Sequence, residues 1–334
     1  MFAALLSFAV AGGSFAEPCQ WPTVATYRVG DTKCSGTLVH PEVIVTAAHC
    51  LEDGDTARVR FGEDFSPYEI RVDVQRCVVQ EAYFETRSPH DDYAACVLTE
   101  PVDVPIVPIA MGCDAEALVP GAPAAIVGFG LPGAEGEFGR KSWAATVIAD
   151  EPRPAALLAV GDDTVNGCLG DSGGPGFLQL PDGTWRTFGI LVAGPACGDG
   201  VSTFARLDAR VAWLEAETGF DLTPCHDADG TWNPGISCAA IAGNPVTHGG
   251  TWGDACAQSL VDPVGPCPEG LELPTADAGY PADDGHVDPS DDPRPPETTG
   301  GRCTTGGGAP TWWCLFVVVG GVARRRRRER RRNS

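Results

Sequence analysis

The chain has 334 residues, 43% of them hydrophobic, with 42 Gly, 29 Pro and 14 Cys, and a formal charge of −22. That length admits one large domain or two modest ones, and the Gly and Pro content favours a loop-rich β fold over a helical bundle. Residues 324–334, RRRRRERRRNS, hold eight Arg and one Glu, leaving 15 basic against 44 acidic residues elsewhere. So acidic a body argues against nucleic acid and anionic membranes as partners and suits a protein outside the cell.

The N-terminus, MFAALLSFAVAGGSFAEP, is apolar with small residues at two places where a signal peptidase can cut. One cut follows Ser7-Phe8-Ala9 and frees Val10; the other follows Ser14-Phe15-Ala16 and frees Glu17. Nine residues without a basic start make a poor signal peptide, so residues 1–9 read as the remnant of a longer signal or pro-segment. From residue 20 to about 215, short β-rich runs alternate with Gly, Pro and Asp: Thr37–Ala48, Ala57–Gly62, Val72–Val79, Ala95–Leu98, Ala124–Phe129 and Phe188–Val192. Their even spacing predicts a barrel or sandwich. LDARVAWLEAETG predicts one helix, with Asp208 as cap, Val211, Trp213 and Leu214 on its apolar face, and Gly219 as its end.

After Phe220 the character changes. Residues 221–267 carry Cys225, Cys238, Cys256 and Cys267 and two fragments, DGTWNPGISC and GGTWGDAC, with a shared Gly-Thr-Trp core. This predicts a small disulfide module whose three connectivities stay open. Residues 268–302, rich in Pro, Asp, Gly and Thr, read as a disordered linker. Residues 303–334 hold Cys303, the apolar APTWWCLFVVVGGVA, short for a membrane span, and the Arg run, whose position points to a topological role. Fourteen cysteines without paired C-x-x-C blocks point to structural disulfides and an oxidising compartment.

Three segments carry chemistry: VTAAHC at 45–50, HDDYAACVL at 90–98 and CLGDSGGPG at 168–176. Hydrolysing a peptide needs a nucleophile, a base for its proton, a group that orients the base, and donors for the oxyanion. Ser172, His49 and Asp92 supply the first three. A glycine at 170 lets the amides of Gly170 and Ser172 converge on one point. His40, His90, His226, His248 and His286 lack such company and read as surface or loop residues.

These segments resemble the chymotrypsin/trypsin family of serine peptidases. TAAHC sets His49 beside Cys50, DYAACVL selects Asp92 over Asp91, GDSGGP is the nucleophile motif, and the order His, Asp, Ser is the family's. The resemblance covers residues 10–220 and implies an all-β fold of two six-stranded antiparallel barrels with the triad between them and a C-terminal helix at 208–219. It implies disulfides Cys34–Cys50 and Cys168–Cys197, and, with topology, Cys77–Cys96 and Cys19–Cys113. The base of the specificity pocket falls on Asn166, with Val192 and Gly194 along the substrate strand. A neutral amide there does not support cleavage after Lys or Arg. Aligning Trp21-Pro22 with the family's aromatic-Pro pair makes Val10 the mature terminus, whose α-ammonium would pair with Asp171 and shape the oxyanion hole.

No cofactor is expected. FGED at 61–64 resembles the start of the family's calcium loop, but the distal carboxylate is not identifiable, and DADG at 227–230 fails as a calcium loop because Cys238 stands at the last ligand position. The tail resembles a MYXO-CTERM sorting signal, implying export and display on the surface of a Gram-negative cell. The expected protein is a monomeric, envelope-anchored serine endopeptidase acting on proteins or peptides, without nucleic acid. The alternative is a protease-like binding or adhesion protein that is never activated.

Overall fold

The computed structural model describes residues 10–29, 32–51, 58–131, 139–240 and 252. The 1–9 remnant, the 268–302 linker and the 303–334 tail lie outside the described residues, as does most of 241–267.

Six strands form a closed antiparallel barrel. They are β2 (Val24–Val29), β3 (Thr32–His40), β4 (Val43–Thr46), β5 (Arg58–Phe61), β6 (Ile70–Val79) and β7 (Ala94–Leu98), in the spatial order β2-β3-β4-β7-β6-β5. Leu38, Ile44, Val45, Val59 and Phe61 fill its interior. The run Thr37–Ala48, read from sequence as one strand, is instead the β3–β4 hairpin, with Leu38 opposite Ile44 and His40 opposite Val43. Pro41 lies at the turn, where it has no ladder N–H to lose, so apolar runs on either side fold back on each other.

A second sheet of seven strands follows the order β1-β9-β8-β11-β12-β13-β10. Its members are β1 (Ser14–Phe15), β8 (Pro123–Gly128), β9 (Ser142–Val147), β10 (Leu157–Val160), β11 (Pro175–Gln179), β12 (Trp185–Ala193) and β13 (Ser202–Arg206). A bridge between Ile148 and Val160 brings the end of β9 to β10, so six of these strands close on themselves and β1 is added outside β9. Ile126, Leu178, Phe188 and Phe204 form its core. A separate aromatic cluster is centred on Trp21, which stacks on Phe177 at 4.5 Å and meets Trp185 edge-on at 5.1 Å.

Two short helices, α1 (Ala82–Thr86) and α2 (Cys113–Glu116), interrupt the strands, and α3 (Val211–Thr218) follows them after a 3-10 turn, Asp208–Arg210. Asp208 does not cap α3: its carboxylate is held by Arg206 at 2.6 and 3.0 Å, a charged partner that outcompetes backbone amides. Val211 and Leu214 are buried, while Trp213 meets Tyr93 edge-on. Gly219, at φ +83, ends the helix, and the Arg76 guanidinium donates to the last carbonyls, Glu217 and Thr218, at 2.9 and 2.6 Å.

The described residues just beyond α3 stay on the body. Leu222 joins the first barrel's core, the Thr223 hydroxyl reaches Glu215, and Cys225–Cys238 closes a loop on which Trp232 packs against His226. His226 is therefore half-buried rather than a plain surface residue. Cys34–Cys50, Cys77–Cys96 and Cys168–Cys197 are bridged. Cys19 and Cys113 are also disulfide-bonded, but the expected Cys19–Cys113 bridge is not among those joining described residues. The two cysteines serve different surroundings: Cys19 sits against Glu63, and Cys113 opens α2 beside Gly112, which abuts Gly230.

Leu214→Ala should cost about 2–5 kcal/mol of unfolding free energy, because its cavity opens in the core under α3. The exposed Ala212→Ser should cost less than about 0.5 kcal/mol. Urea unfolding of the two variants checks this; equal midpoints would show that α3 contributes nothing to the core.

Candidate active site

His49 and Asp92 meet because β4 pairs with β7, with Thr46 opposite Ala94. His49 lies in the turn Ala48–Leu51 just after β4, tied back to β3 through Cys50–Cys34. Asp92, only 3% exposed, lies just before β7. One carboxylate oxygen accepts the His49 backbone N–H at 2.8 Å, and the other is 2.6 Å from its Nδ1. This double grip fixes both the position and the orientation of the imidazole, and it favours the tautomer with the proton on Nδ1 and a free Nε2 lone pair. Asp91 is occupied elsewhere, by the Thr86 hydroxyl at 2.8 Å and by His90 at 3.0 Å.

The GDSGGP loop is held by its own amides. Those of Asp171, Gly173 and Gly174 donate to Cys168, Leu191 and Asp171 carbonyls at 3.0, 2.7 and 2.8 Å. The Gly170 and Ser172 amides have no backbone acceptor among the described residues, and Gly170 takes φ +96. Gly173, at φ +76, has no room for a side chain: a Cβ would strike the Thr46 hydroxyl and come within 2.6 Å of the Ser35 carbonyl. Ser35 is the residue the sequence did not single out. Its hydroxyl donates to the Gly170 carbonyl and accepts from the Phe129 amide, both at 3.0 Å, and its amide donates to the Ser172 carbonyl at 2.9 Å. It follows Cys34 in the run CSGTL, where only the cysteine carries a local signal. Ser172, His49 and Asp92 line one cleft of about 940 Å³.

Asp171 is fully buried, with its two oxygens accepting the Gly130 and Cys168 amides, each at 2.8 Å. Burial outweighs those hydrogen bonds and pushes its carboxyl up to about 6. Val10 is also fully buried, and its nitrogen donates to the Ser142 hydroxyl at 2.8 Å while Ala11 donates to the Asn166 carbonyl at 3.0 Å. The expected Val10–Asp171 pair is thus not formed. In the continuous chain the Val10 nitrogen is an uncharged peptide N–H with one hydrogen to give. The two groups nonetheless share a locale: Ser142 pairs with Gly128, and a Cβ on Gly128 would collide with the Asp171 carboxylate.

Asn166 is wholly buried, and both ends of its amide are taken by the loop opposite, Nδ2 by the Ala196 carbonyl at 3.0 Å and Oδ1 by the Gly198 amide at 2.6 Å. Val192 and Gly194 line the cleft. Leu191, which sequence reading passed over, pushes a methyl into the space beside Gly167, and Leu169 stands 76% exposed at the cleft's edge. Three of the carboxylates raised as calcium ligands accept hydrogen bonds from the protein. Glu63 accepts from the Cys19 amide and the Trp252 indole, Asp227 from Asn233, and Asp229 from the Thr231 amide.

A protein-family model described as Trypsin matches residues 10–214. Mouse (Mus musculus) Chymotrypsin-C is 28% identical over 247 residues, covering 63% of this chain and 89% of that protein. Brachyurin of Leptuca pugilator is 27% identical over 235 residues, 64% of this chain and the whole of that protein. Vitamin K-dependent protein C of Rattus norvegicus is 28% identical over 231 residues, 60% of this chain, and the match spans about half of that longer protein. With the matched segment enclosing both barrels and the His49–Asp92–Ser172 cleft, the chain belongs to the trypsin family of serine proteases.

Proposed function

We propose that the chain is a serine endopeptidase using Ser172 as nucleophile, His49 as base and Asp92 as the group that orients it. The observation that carries this reading is the two-point hold of Asp92 on His49 in a cleft shared with Ser172. Ser172 Oγ attacks the carbonyl carbon while its proton passes to His49 Nε2, and the Asp92 carboxylate stabilises the resulting imidazolium. The carbonyl oxygen, now carrying the negative charge, accepts the Gly170 and Ser172 N–H groups. Collapse expels the amine, which leaves with the proton from His49, and water repeats the sequence on the acyl-enzyme.

An apolar residue is favoured before the scissile bond. Asn166 is neutral and spent on backbone partners, and Leu191, Val192 and Gly194 add no charge. Export is supported by the disulfides and the acidic body; envelope anchoring through a MYXO-CTERM-like tail rests on the sequence resemblance alone. We further propose that cutting before Val10 supplies the cation Asp171 lacks. A second reading, an unactivated protease-like binding protein, is favoured by the same uncompensated Asp171.

A fluorophosphonate probe should label correctly processed protein, and Ser172→Ala or His49→Ala should lower peptide hydrolysis by about 10⁴-fold or more. Labelling that persists in Ser172→Ala would remove Ser172 from the reaction. Among peptides differing only in the residue before the cut, Leu and Phe should exceed Lys in kcat/KM by about 100-fold or more, since the pocket gives a buried ammonium no partner. A Lys preference would overturn the pocket assignment.

Asp171 also sets a pH dependence in the uncleaved chain. Its folded value of about 6 lies above the ordinary 3.8, so its contribution is intact below about pH 4 and is lost as pH rises through about 6. The loss amounts to about 3 kcal/mol. In a Ser172→Ala background, Asp171→Asn should therefore gain about that much relative to its parent between pH 4 and pH 8 in urea unfolding. A difference that stays constant with pH would show that Asp171 does not titrate this way.

A further inference from the structure

Trp252 lies beyond the segment that matches the family, yet its side chain docks on residues inside that segment. Its indole Nε1 is 3.0 and 2.8 Å from the two Glu63 carboxylate oxygens, one of which also accepts the Cys19 amide at 3.0 Å. The Glu63 carbonyl accepts the Lys141 amide at 2.7 Å. The Lys141 side chain is wholly buried; its ammonium donates to the Gln20 and Trp21 carbonyls at 3.3 and 3.1 Å and faces the rings of Phe129 and Trp252 at 5.6 and 5.5 Å. A buried ammonium is costly, and burial draws this one down to about 8 while the Glu63 charge opposes the fall.

What Lys141 grips needs gripping. Cys19 and Trp21, neither of them glycine, sit at φ +64 and +53 on either side of Gln20, a left-handed geometry that side chains resist. The Lys141 carbonyl also accepts the Ala16 amide at 3.0 Å, and the next residue, Ser142, receives the Val10 nitrogen. An unbroken series of contacts therefore runs from the C-terminal extension to the seat of the N-terminal segment.

We propose that Trp252, from beyond the segment that matches the family, is a strap on the protease body, anchored by its indole on Glu63 and Lys141. Its task is to keep residues 10–21 seated. The indole is suited to the position because it offers a single N–H to a carboxylate and a π face to an ammonium, so one side chain serves both charges. Trp232, the counterpart in the other Gly-Thr-Trp fragment, packs on His226 and has no part in this node. The two fragments thus do different work despite their shared core.

Amide hydrogen exchange on the full chain tests the strap, in a Ser172→Ala background so that the result does not depend on catalysis. Trp252→Ala should speed exchange of the Ala11, Ala16, Cys19 and Gln20 amides by about tenfold or more, the range expected for losing a hydrogen bond to a charged group. Trp252→Phe, which keeps the ring and loses the N–H, should speed it by a smaller factor, and Trp232→Ala should leave these amides unchanged. Unchanged exchange at residues 10–21 in a folded Trp252→Ala protein, or an equal rise across both barrels, overturns the proposal. If Trp252→Ala does not fold, Trp252→Phe decides it by the same two outcomes.

Discussion

A buried carboxylate with no cation beside it among the described residues organises the loop that carries Ser172. Asp171 is sealed from water and held by two neutral amides, one from Gly130 at the end of the β8 segment and one from Cys168 at the head of its own loop. Gly128 and Gly130 cannot carry side chains because the carboxylate fills the space where a Cβ would go. The loop that carries Ser172 is thereby pinned to the second barrel, while Ser35 pins it to the first through the Gly170 and Ser172 carbonyls. Ser172 and His49 line one cleft, and both barrels hold the six residues of the GDSGGP loop. The electrostatic cost of burying Asp171 is borne by the rest of the fold.

The Val10 backbone and the Trp252 indole converge on that arrangement. Val10 lies buried beside β9, hydrogen-bonded to Ser142, and the residue before Ser142 is the Lys141 on which the Trp252 strap closes. Near the other end of the extension, Leu222 and Thr223 are packed onto the body rather than set apart from it. The residues just after α3 and the indole at 252 therefore belong to the energetics of the protease body. Among the described residues of the extension the only separate cluster is the small one of Cys225 and Cys238 with Trp232, so packing Leu222 onto the first barrel's core adds burial that this cluster does not supply.

How much of this was legible in the sequence follows from the range of each interaction. His49, Asp92 and Ser172 sit in compact motifs whose neighbours serve the same site, so TAAHC, DYAACVL and GDSGGP announce themselves. The helix at the end of the second barrel was legible from its periodicity, but its cap was not, because Arg206 takes the Asp208 carboxylate and no propensity rule weighs that competition. The β3–β4 hairpin was hidden inside one apolar run that Pro41 alone divides. The contacts from Ser35 to Gly170, from Ser142 to Val10 and from Trp252 to Glu63 span 135, 132 and 189 residues and join single, ordinary side chains. Such contacts leave no local pattern; only the folded chain brings them together. The Cys19–Cys113 expectation shows the same limit, since nothing local to either cysteine selects its partner.

In the proposed activation, the buried carboxylate of Asp171 pairs with the α-ammonium of Val10. The most direct test compares kcat/KM for one peptide between a chain whose first residue is Val10 and the same chain with that terminus acetylated. Acetylation leaves the side chain and sequence untouched and removes only the charge. The account predicts a loss of about 100-fold or more on acetylation, the cost of leaving a buried carboxylate unpaired. Equal kcat/KM for the two proteins would contradict it.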